Sequence, residues 1–277
     1  MQISVIIPVY NRPQAVQRAV NSVLQQTEPP LEIIVVDDGS TEETPQVLAQ
    51  YGSKIKMVRQ SHRGVSAARN AGIKRAQADW LAFLDSDDEW LPEKLAAARR
   101  FHEQNPDLLI FQSEEIWIRN GRRVNPKKKH QKYGGWIFRQ SLPLCIVSPS
   151  AVVIHKKLFE EVGYFDEELP VCEDYDLWLR IGRRYPIGLD STPLIRKYGG
   201  HADQLSRKYW GMDLYRIAAM EKHLADPALS EAEQRWVLEE IIKKYTVLIS
   251  GAEKRGKQVK EWKQKKVLYQ NRLRNLL

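Results

Sequence analysis

Apolar positions in the first ninety residues follow two alternating periods. Residues 4–9, 31–36, 55–58 and 80–84 are continuous or nearly continuous apolar runs, the pattern of strands covered on both faces. Between them, Val16, Ala19, Val20, Val23 and Leu24 recur at helical spacing, and Val47, Leu48 and Tyr51 continue a second stripe. Residues 64–73 form a helix of small residues able to pack closely on a sheet. Pro13 suits the first turn of the first helix. Ser40 followed by Glu43 has the spacing of a capping box for the second. Strand and helix in strict alternation predict an α/β protein with an open, mainly parallel twisted sheet.

After Asp88 the alternation weakens. Residues 108–111 and 116–118 read as two strands, and Asn120-Gly121 as a hairpin turn towards Val124. Residues 122–135 are polar and basic, and read either as a solvated linker or as a flap over a substrate. A strand over 149–155, a helical turn over 157–162 and a turn at 163–166 follow. Residues 173–181 read as an amphipathic helix that gathers Leu177, Trp178 and Ile181. Glu173 and Asp174 crown its N-terminus, where the helix dipole favours carboxylates in any case. From Trp210 onward the pattern is helical, with Ser230 and Glu233 as another capping box and Gly251 as a helix end.

Composition changes this picture little. The 277 residues are 43% hydrophobic and 28% charged, ordinary for a globular protein. No apolar run approaches the ~18 residues of a membrane span. Cys145 and Cys172 are too few for a disulfide framework or a zinc site. The opening residues lack a basic leader and read as a strand, so a cytoplasmic protein is expected. The net charge of +8 is uneven: residues 251–277 hold nine Lys/Arg against Glu253 and Glu261, leaving about +1 for the rest. Two readings of this tail stand side by side. It lies on an anionic membrane at the inner face, with Trp262 and leucines inserted, or it is a solvated basic helix packed on its neighbour. A charge-driven nucleic-acid binder would leave the acidic residues of the body unexplained, so no specific nucleic-acid partner is expected.

Those acidic residues are the candidate chemistry. The strand at 80–84 runs directly into Asp85, Asp87 and Asp88. Carboxylates this crowded repel one another, and a divalent cation with hard oxygen ligands resolves the conflict; a polar turn before a helix is the plainer reading. In open α/β sheets ligands lie beyond the carboxyl ends of the strands, where Asn11, Asp37, Asp38 and residues 85–88 all fall. No G-x-G-x-x-G follows the first strand, which excludes the usual dinucleotide site.

Five motifs in order, Ser4-Val-Ile-Ile-Pro-Val-Tyr-Asn11, Val36-Asp-Asp-Gly-Ser40, Gly64-Val-Ser-Ala-Ala-Arg-Asn-Ala-Gly72, Leu84-Asp-Ser-Asp-Asp88 and Glu173-Asp-Tyr-Asp-Leu-Trp-Leu-Arg180, resemble family 2 glycosyltransferases over about residues 1–210. The resemblance implies a GT-A-like nucleotide-diphospho-sugar transferase fold. Residues 1–110 would be the nucleotide-sugar half, 111–210 the acceptor half and 211–277 a helical C-terminal extension. It implies a nucleotide diphosphate sugar as donor, a UDP-sugar favoured, with an unknown hydroxyl acceptor in cell-surface polysaccharide or glycolipid synthesis. Pro8, Val9, Tyr10 and Asn11 would lie along the base and ribose, Asp38 rather than Asp37 would hold the base, and Arg69 or Arg63 would face base or diphosphate. Asp85 and Ser86 would sit near the ribose and sugar. Asp87, with Asp85, would ligate Mg²⁺ or Mn²⁺, with His201 a further metal contact and Arg207 a diphosphate contact. Asp174 would be the general base of an inverting displacement and Glu173 its support. Trp136, Trp178 and Tyr198 are either sugar-stacking or core aromatics. Rival readings are a D-x-D phosphatase, which would need a hydroxyl or β-branched residue where Glu89 stands, and a nucleotidyltransferase, which would need a Gly-rich basic loop early in the chain.

Overall fold

The computed structural model describes residues 1–200 and 209–276. The four early apolar runs form β1 (Ile3–Val9), β2 (Glu32–Asp37), β3 (Lys56–Arg59) and β4 (Trp80–Phe83), paired in parallel in the order β3-β2-β1-β4. Alternate residues of β1 feed two cores. Val5 and Ile7 pack with Val16, Val20 and Val23 of α1 (Pro13–Leu24). Ile6 packs with Ala68 and Ile73 of α3 (Val65–Arg75) on the other face. Each fully buried aliphatic side chain contributes about 1.5–3 kcal/mol. The closest approach is at Gly72, where a Cβ would stand 2.4 Å from Ile6 Cγ2.

Beyond β4 the sheet is mixed. β8 (Val152–His155) lies antiparallel to β4 and to the start of β6 (Ile110–Arg119). β9 (Gly188–Gly199) runs parallel to β6, and β5 (Glu89–Trp90) closes the row against β9. β7 (Arg122–Val124) folds back on β6 through Asn120 and Gly121, at φ 49° and 72°. The hairpin stands where Asn-Gly places it.

Several expectations need correction. The two runs join in one ten-residue strand, Ile110–Arg119, because polar Gln112 to Glu115 is paired inside the sheet rather than looped out. Residues 188–199, to which the apolar pattern assigns no element, form β9, and the sheet absorbs its Asp190-Ser-Thr-Pro193 stretch as register shifts opposite Ser113–Glu115. Ser40 does not cap α2 (Thr44–Ala49), because its Oγ accepts a hydrogen bond from the Asn11 amide at 2.9 Å. Residues 122–135 are anchored rather than free: Lys132 is buried, donating to Glu115 Oε1 at 3.0 Å and Gln112 Oε1 at 3.1 Å.

The C-terminal region is helical. α7 (Glu173–Arg184) is buried on two sides: Leu177, Trp178 and Ile181 meet the sheet, while Tyr175 and Leu179 meet α8 (Met212–Leu224) and α9 (Glu231–Glu253). The Ser230–Glu233 capping box is present in both directions, and α9 runs two residues past Gly251. α10 (Lys260–Arg274) packs on α9, and Trp262, Leu273 and Leu276 turn inward, with Trp262 stacked on Trp210 at 6.0 Å. Val267 and Leu268 are its exposed apolar residues. Among the described residues no helix is long and apolar enough to cross a membrane.

Candidate active site

Asn11 leaves β1 in the left-handed region, at φ 49°, and joins two loops. Its Oδ1 accepts from the Thr41 amide at 2.9 Å, and the Arg12 amide donates to Thr44 Oγ1 at 3.0 Å. Pro8 and Val9 are buried in β1, leaving Tyr10 and Asn11 exposed. Tyr10 stacks on His62 with centroids 3.9 Å apart. Asp38 is buried and fully engaged. Its Oδ1 accepts from Gln60 Nε2 at 2.7 Å and the Arg63 amide at 3.0 Å; Oδ2 meets the Gly64 amide and His62 Nδ1, each at 2.8 Å. Four partners fill a carboxylate's acceptor sites, so a ligand N–H at Asp38 must displace one, and the two side chains can withdraw. Asp37 is buried beside it, accepting from the Ser40 amide at 2.9 Å and lying 3.3 Å from Arg59 Nε. The Arg63 side chain turns away to pair with Glu167.

Of the carboxylates after β4, Asp85 and Asp87 are each paired with an arginine. Asp87 Oδ2 accepts from Arg12 Nη1 at 2.5 Å. Asp85 Oδ1 accepts from Arg69 Nη2 at 2.7 Å, and Arg69 Nη1 reaches Glu173 Oε1 at 2.6 Å. Arg69 is buried, so it pins α7 to the end of β4 rather than lying open to a ligand. Against burial, Asp85 and Glu173 hold its guanidinium firmly protonated. Burial and Asp174 push Glu173 up to about 7, with Arg69 opposing. Asp88 is buried, accepting from Ser150 Oγ at 2.6 Å and the Tyr198 amide at 3.1 Å. Burial, with Asp87 and Asp85 near, raises its pKa well above the carboxylate range despite Lys197. Ser86 is buried in the same turn.

Asp174 stands in the first turn of α7, which follows Cys172 at φ 63°. Its Oδ1 accepts from the Tyr175 amide at 2.7 Å, and Cys145 Sγ lies 3.5 Å from Oδ2. Lys197 on β9 completes the cluster. Its ammonium donates to Ser148 Oγ at 2.8 Å. Against burial, Glu115, Asp88, Asp85 and Asp174 raise its pKa. Glu115 is in turn held down to about 2 against burial by Lys132 and Lys197.

Asp85 and Asp87 are hard oxygen donors, partly exposed at 24% and 21% of their side chains. Mg²⁺ commonly takes one or two carboxylates together with substrate phosphates, and this donor pair fits that habit. Among the described residues no group of three or more metal-ligating side chains is assembled. His201 and Arg207 lie outside the described residues. Trp178 is core; Trp136 is 65% exposed; Tyr198 donates to Glu89 Oε2 at 2.7 Å beneath the Arg18 guanidinium. Sequence reasoning did not find Arg12, His62, Cys145, Glu115 or Lys197. Nothing local marked Lys197, which stands beside a second cation, Arg196.

An open sheet with acidic side chains converging at one carboxyl edge, backed by a helix whose first turn is acidic, defines a GT-A-like nucleotide-sugar transferase fold. A family model described as glycosyl transferase family 2 matches residues 4–163. An uncharacterised glycosyltransferase of Rickettsia conorii is 35% identical over 213 residues, 74% of this chain and 35% of that protein. One of Rickettsia prowazekii is 30% identical over 257 residues, 90% of this chain and 76% of that protein. A putative teichuronic acid biosynthesis glycosyltransferase of Bacillus subtilis is 37% identical over 123 residues, 43% of this chain and 49% of that protein. The crystal structure of S. aureus TarS 1–349 in complex with UDP-GlcNAc superposes with a TM-score of 0.70 at 22% identity, over 89% of this chain and 73% of that one. The chain therefore spans about a third of the length of the R. conorii relative and three quarters of the R. prowazekii one. It belongs to the family 2 glycosyltransferases. That membership sets aside the phosphatase and nucleotidyltransferase readings.

Proposed function

We propose that this chain transfers a sugar from a nucleotide diphosphate sugar to an acceptor hydroxyl, with inversion at the anomeric carbon. The observation that carries the reading is the gathering of Asp85, Asp88 and Asp174 around Lys197, with Asp87 and Arg12 beside them. Asp174 is the general base. It takes the acceptor proton as that oxygen attacks the anomeric carbon opposite the departing diphosphate, assistance typically worth ~10²–10⁴-fold. Glu173, held by Arg69, fixes the turn that carries Asp174. Lys197 offers positive charge to the diphosphate as negative charge builds on it. Asp87, with Asp85, would hold Mg²⁺ or Mn²⁺, and such a cation would neutralise the leaving diphosphate. Tyr10, Asn11 and Asp38 would line the base and ribose, and Ser86 the sugar side.

TarS crystallised with UDP-GlcNAc and with UDP, which makes UDP-sugars the first donors to try. The teichuronic acid enzyme among the relatives supports a setting in cell-surface polysaccharide synthesis. Val267 and Leu268 among the lysines of α10 make that helix the point of peripheral contact with an anionic membrane.

A panel of nucleotide sugars, titrated by calorimetry with and without Mn²⁺, tests donor class and metal together. Asp174→Asn is expected to retain donor binding while transfer falls at least 100-fold. Equal loss of binding and transfer would assign Asp174 a structural role and remove it as the base.

A further inference from the structure

From Ile116 to Phe159 the chain carries ten Lys/Arg and no Asp or Glu over 44 residues. At the chain's average acidic content, such a gap is far from ordinary, and most of its cations are clustered. Arg119, Arg122, Arg123, Lys127, Lys128 and Lys129 are exposed along the β6–β7 hairpin and the loop after it. None of the six meets a carboxylate among the described residues. Arg119, Lys127 and Lys129 also crowd His130, whose pKa is lowered by burial first and then by their charge. Mutual repulsion of this kind weakens the folded state, and an opposing polyanion relieves it.

The cluster is wired to the proposed catalytic edge. At its root, buried Lys132 pairs with Glu115, Glu115 faces Lys197, and Lys197 faces Asp174. In the sheet, Trp117 lies opposite Lys197 and Arg119 opposite Gly199. The stretch also exposes Tyr133 and Trp136. Flat aromatic faces suit sugar rings, and the cations between them suit acid groups. The cations belong to the half of the sheet away from Tyr10 and Asp38, the residues proposed to face the donor.

We propose that the acceptor is an anionic glycan chain, carrying carboxylate or phosphodiester groups, that runs along the β6–β7 hairpin and residues 127–136 to reach Asp174. This inference rests on the glycosyltransferase reading for its direction, and its test is separable from it. The full chain is titrated by calorimetry at low and high salt with four probes: an oligogalacturonate hexamer, a glycerol-phosphate oligomer, neutral maltohexaose and UDP. The triple substitution K127S/K128S/K129S and the double substitution R122S/R123S are compared with the parent, with thermal melts confirming that these exposed changes leave the fold intact. Acidic probes are expected to bind more tightly than maltohexaose, with affinity falling as salt rises. The triple variant is expected to lose about ten-fold for acidic probes through the loss of three exposed charge contacts, while UDP binds unchanged. Equal affinity for neutral and acidic glycans would overturn the proposal, as would undiminished acidic binding in both variants. Tighter binding of single-stranded DNA or phosphatidylglycerol vesicles than of the glycans would also overturn it, assigning the surface to another polyanion. Acidic-glycan binding without any UDP binding would sink the donor reading and leave the glycan surface standing.

Discussion

Replacing Arg69 by Met keeps the apolar stem and removes the clamp between β4 and α7. Two charge-assisted hydrogen bonds go, one to Glu173 at 2.6 Å and one to Asp85 at 2.7 Å. The side chains of Arg69 and Glu173 are 4% and 8% exposed, so that arm counts nearly in full. Stranding one partner of a buried pair costs about 3–5 kcal/mol. Asp85 is a quarter exposed, so its arm adds about 1 kcal/mol or less after solvent screening. Glu173 can blunt the loss by taking a proton, since burial and Asp174 already push it up to about 7. The sign follows: a carboxyl whose folded pKa lies above its unfolded value loses stability as pH rises between the two. Below pH 6, Glu173 is protonated in parent and variant alike, and the difference between them is small. Above pH 8 the stranded carboxylate bears the whole cost. Urea unfolding followed by circular dichroism at pH 5.5 and 8.5 measures both values. Adding Glu173→Gln to the variant is expected to recover at least half of the loss at pH 8.5. A loss under about 1 kcal/mol at pH 8.5, or no recovery in the double variant, would refute the clamp.

Other expectations are as direct. Lys197→Met removes the positive charge offered to the departing diphosphate, so kcat is expected to fall about 100-fold in a transfer assay; an unchanged kcat would separate Lys197 from the diphosphate. His223 is buried against Phe138, and burial, with Arg183 and Arg180, lowers its pKa to about 4 while Asp176 and Asp226 oppose. A depressed imidazole stabilises the fold above the unfolded value of about 6.5 and loses that contribution as pH falls to about 4, a change on the order of 3 kcal/mol. Unfolding midpoints of His223→Leu are expected to fall less steeply than those of the parent over that window. Gly72→Ala drives a methyl into Ile6 and is expected to cost about 1–3 kcal/mol by thermal melt.

The first four strands were legible because apolar runs bounded by helices admit one architecture, and the Asn120-Gly121 turn because few residues tolerate its dihedrals. β9 was not, since Pro193 and the polar Asp190-Ser-Thr run break any apolar pattern, and only its neighbour β6 shows that the strand continues. The supposed capping box failed for a related reason: Ser40 has the right spacing, but its hydroxyl is claimed by Asn11, twenty-nine positions earlier. The acidic residues of the edge were visible one by one. Their cations were not, because Arg12 meets Asp87 and Arg69 meets Glu173 across separations of 75 and 104 residues, and nothing local marks such pairings.

β5 has one partner in the sheet, β9, and β9 ends at Gly199. Asp88, just before β5, is likewise held by the amide of Tyr198. During synthesis the Asp85–Asp88 turn therefore waits first for Ser150, 62 residues beyond Asp88, and then for Tyr198, 110 residues beyond it, before its hold is complete. A nascent chain halted before β9 would display the acidic motif with its scaffold unfinished, and the edge where chemistry is proposed would be among the last parts of the body to set.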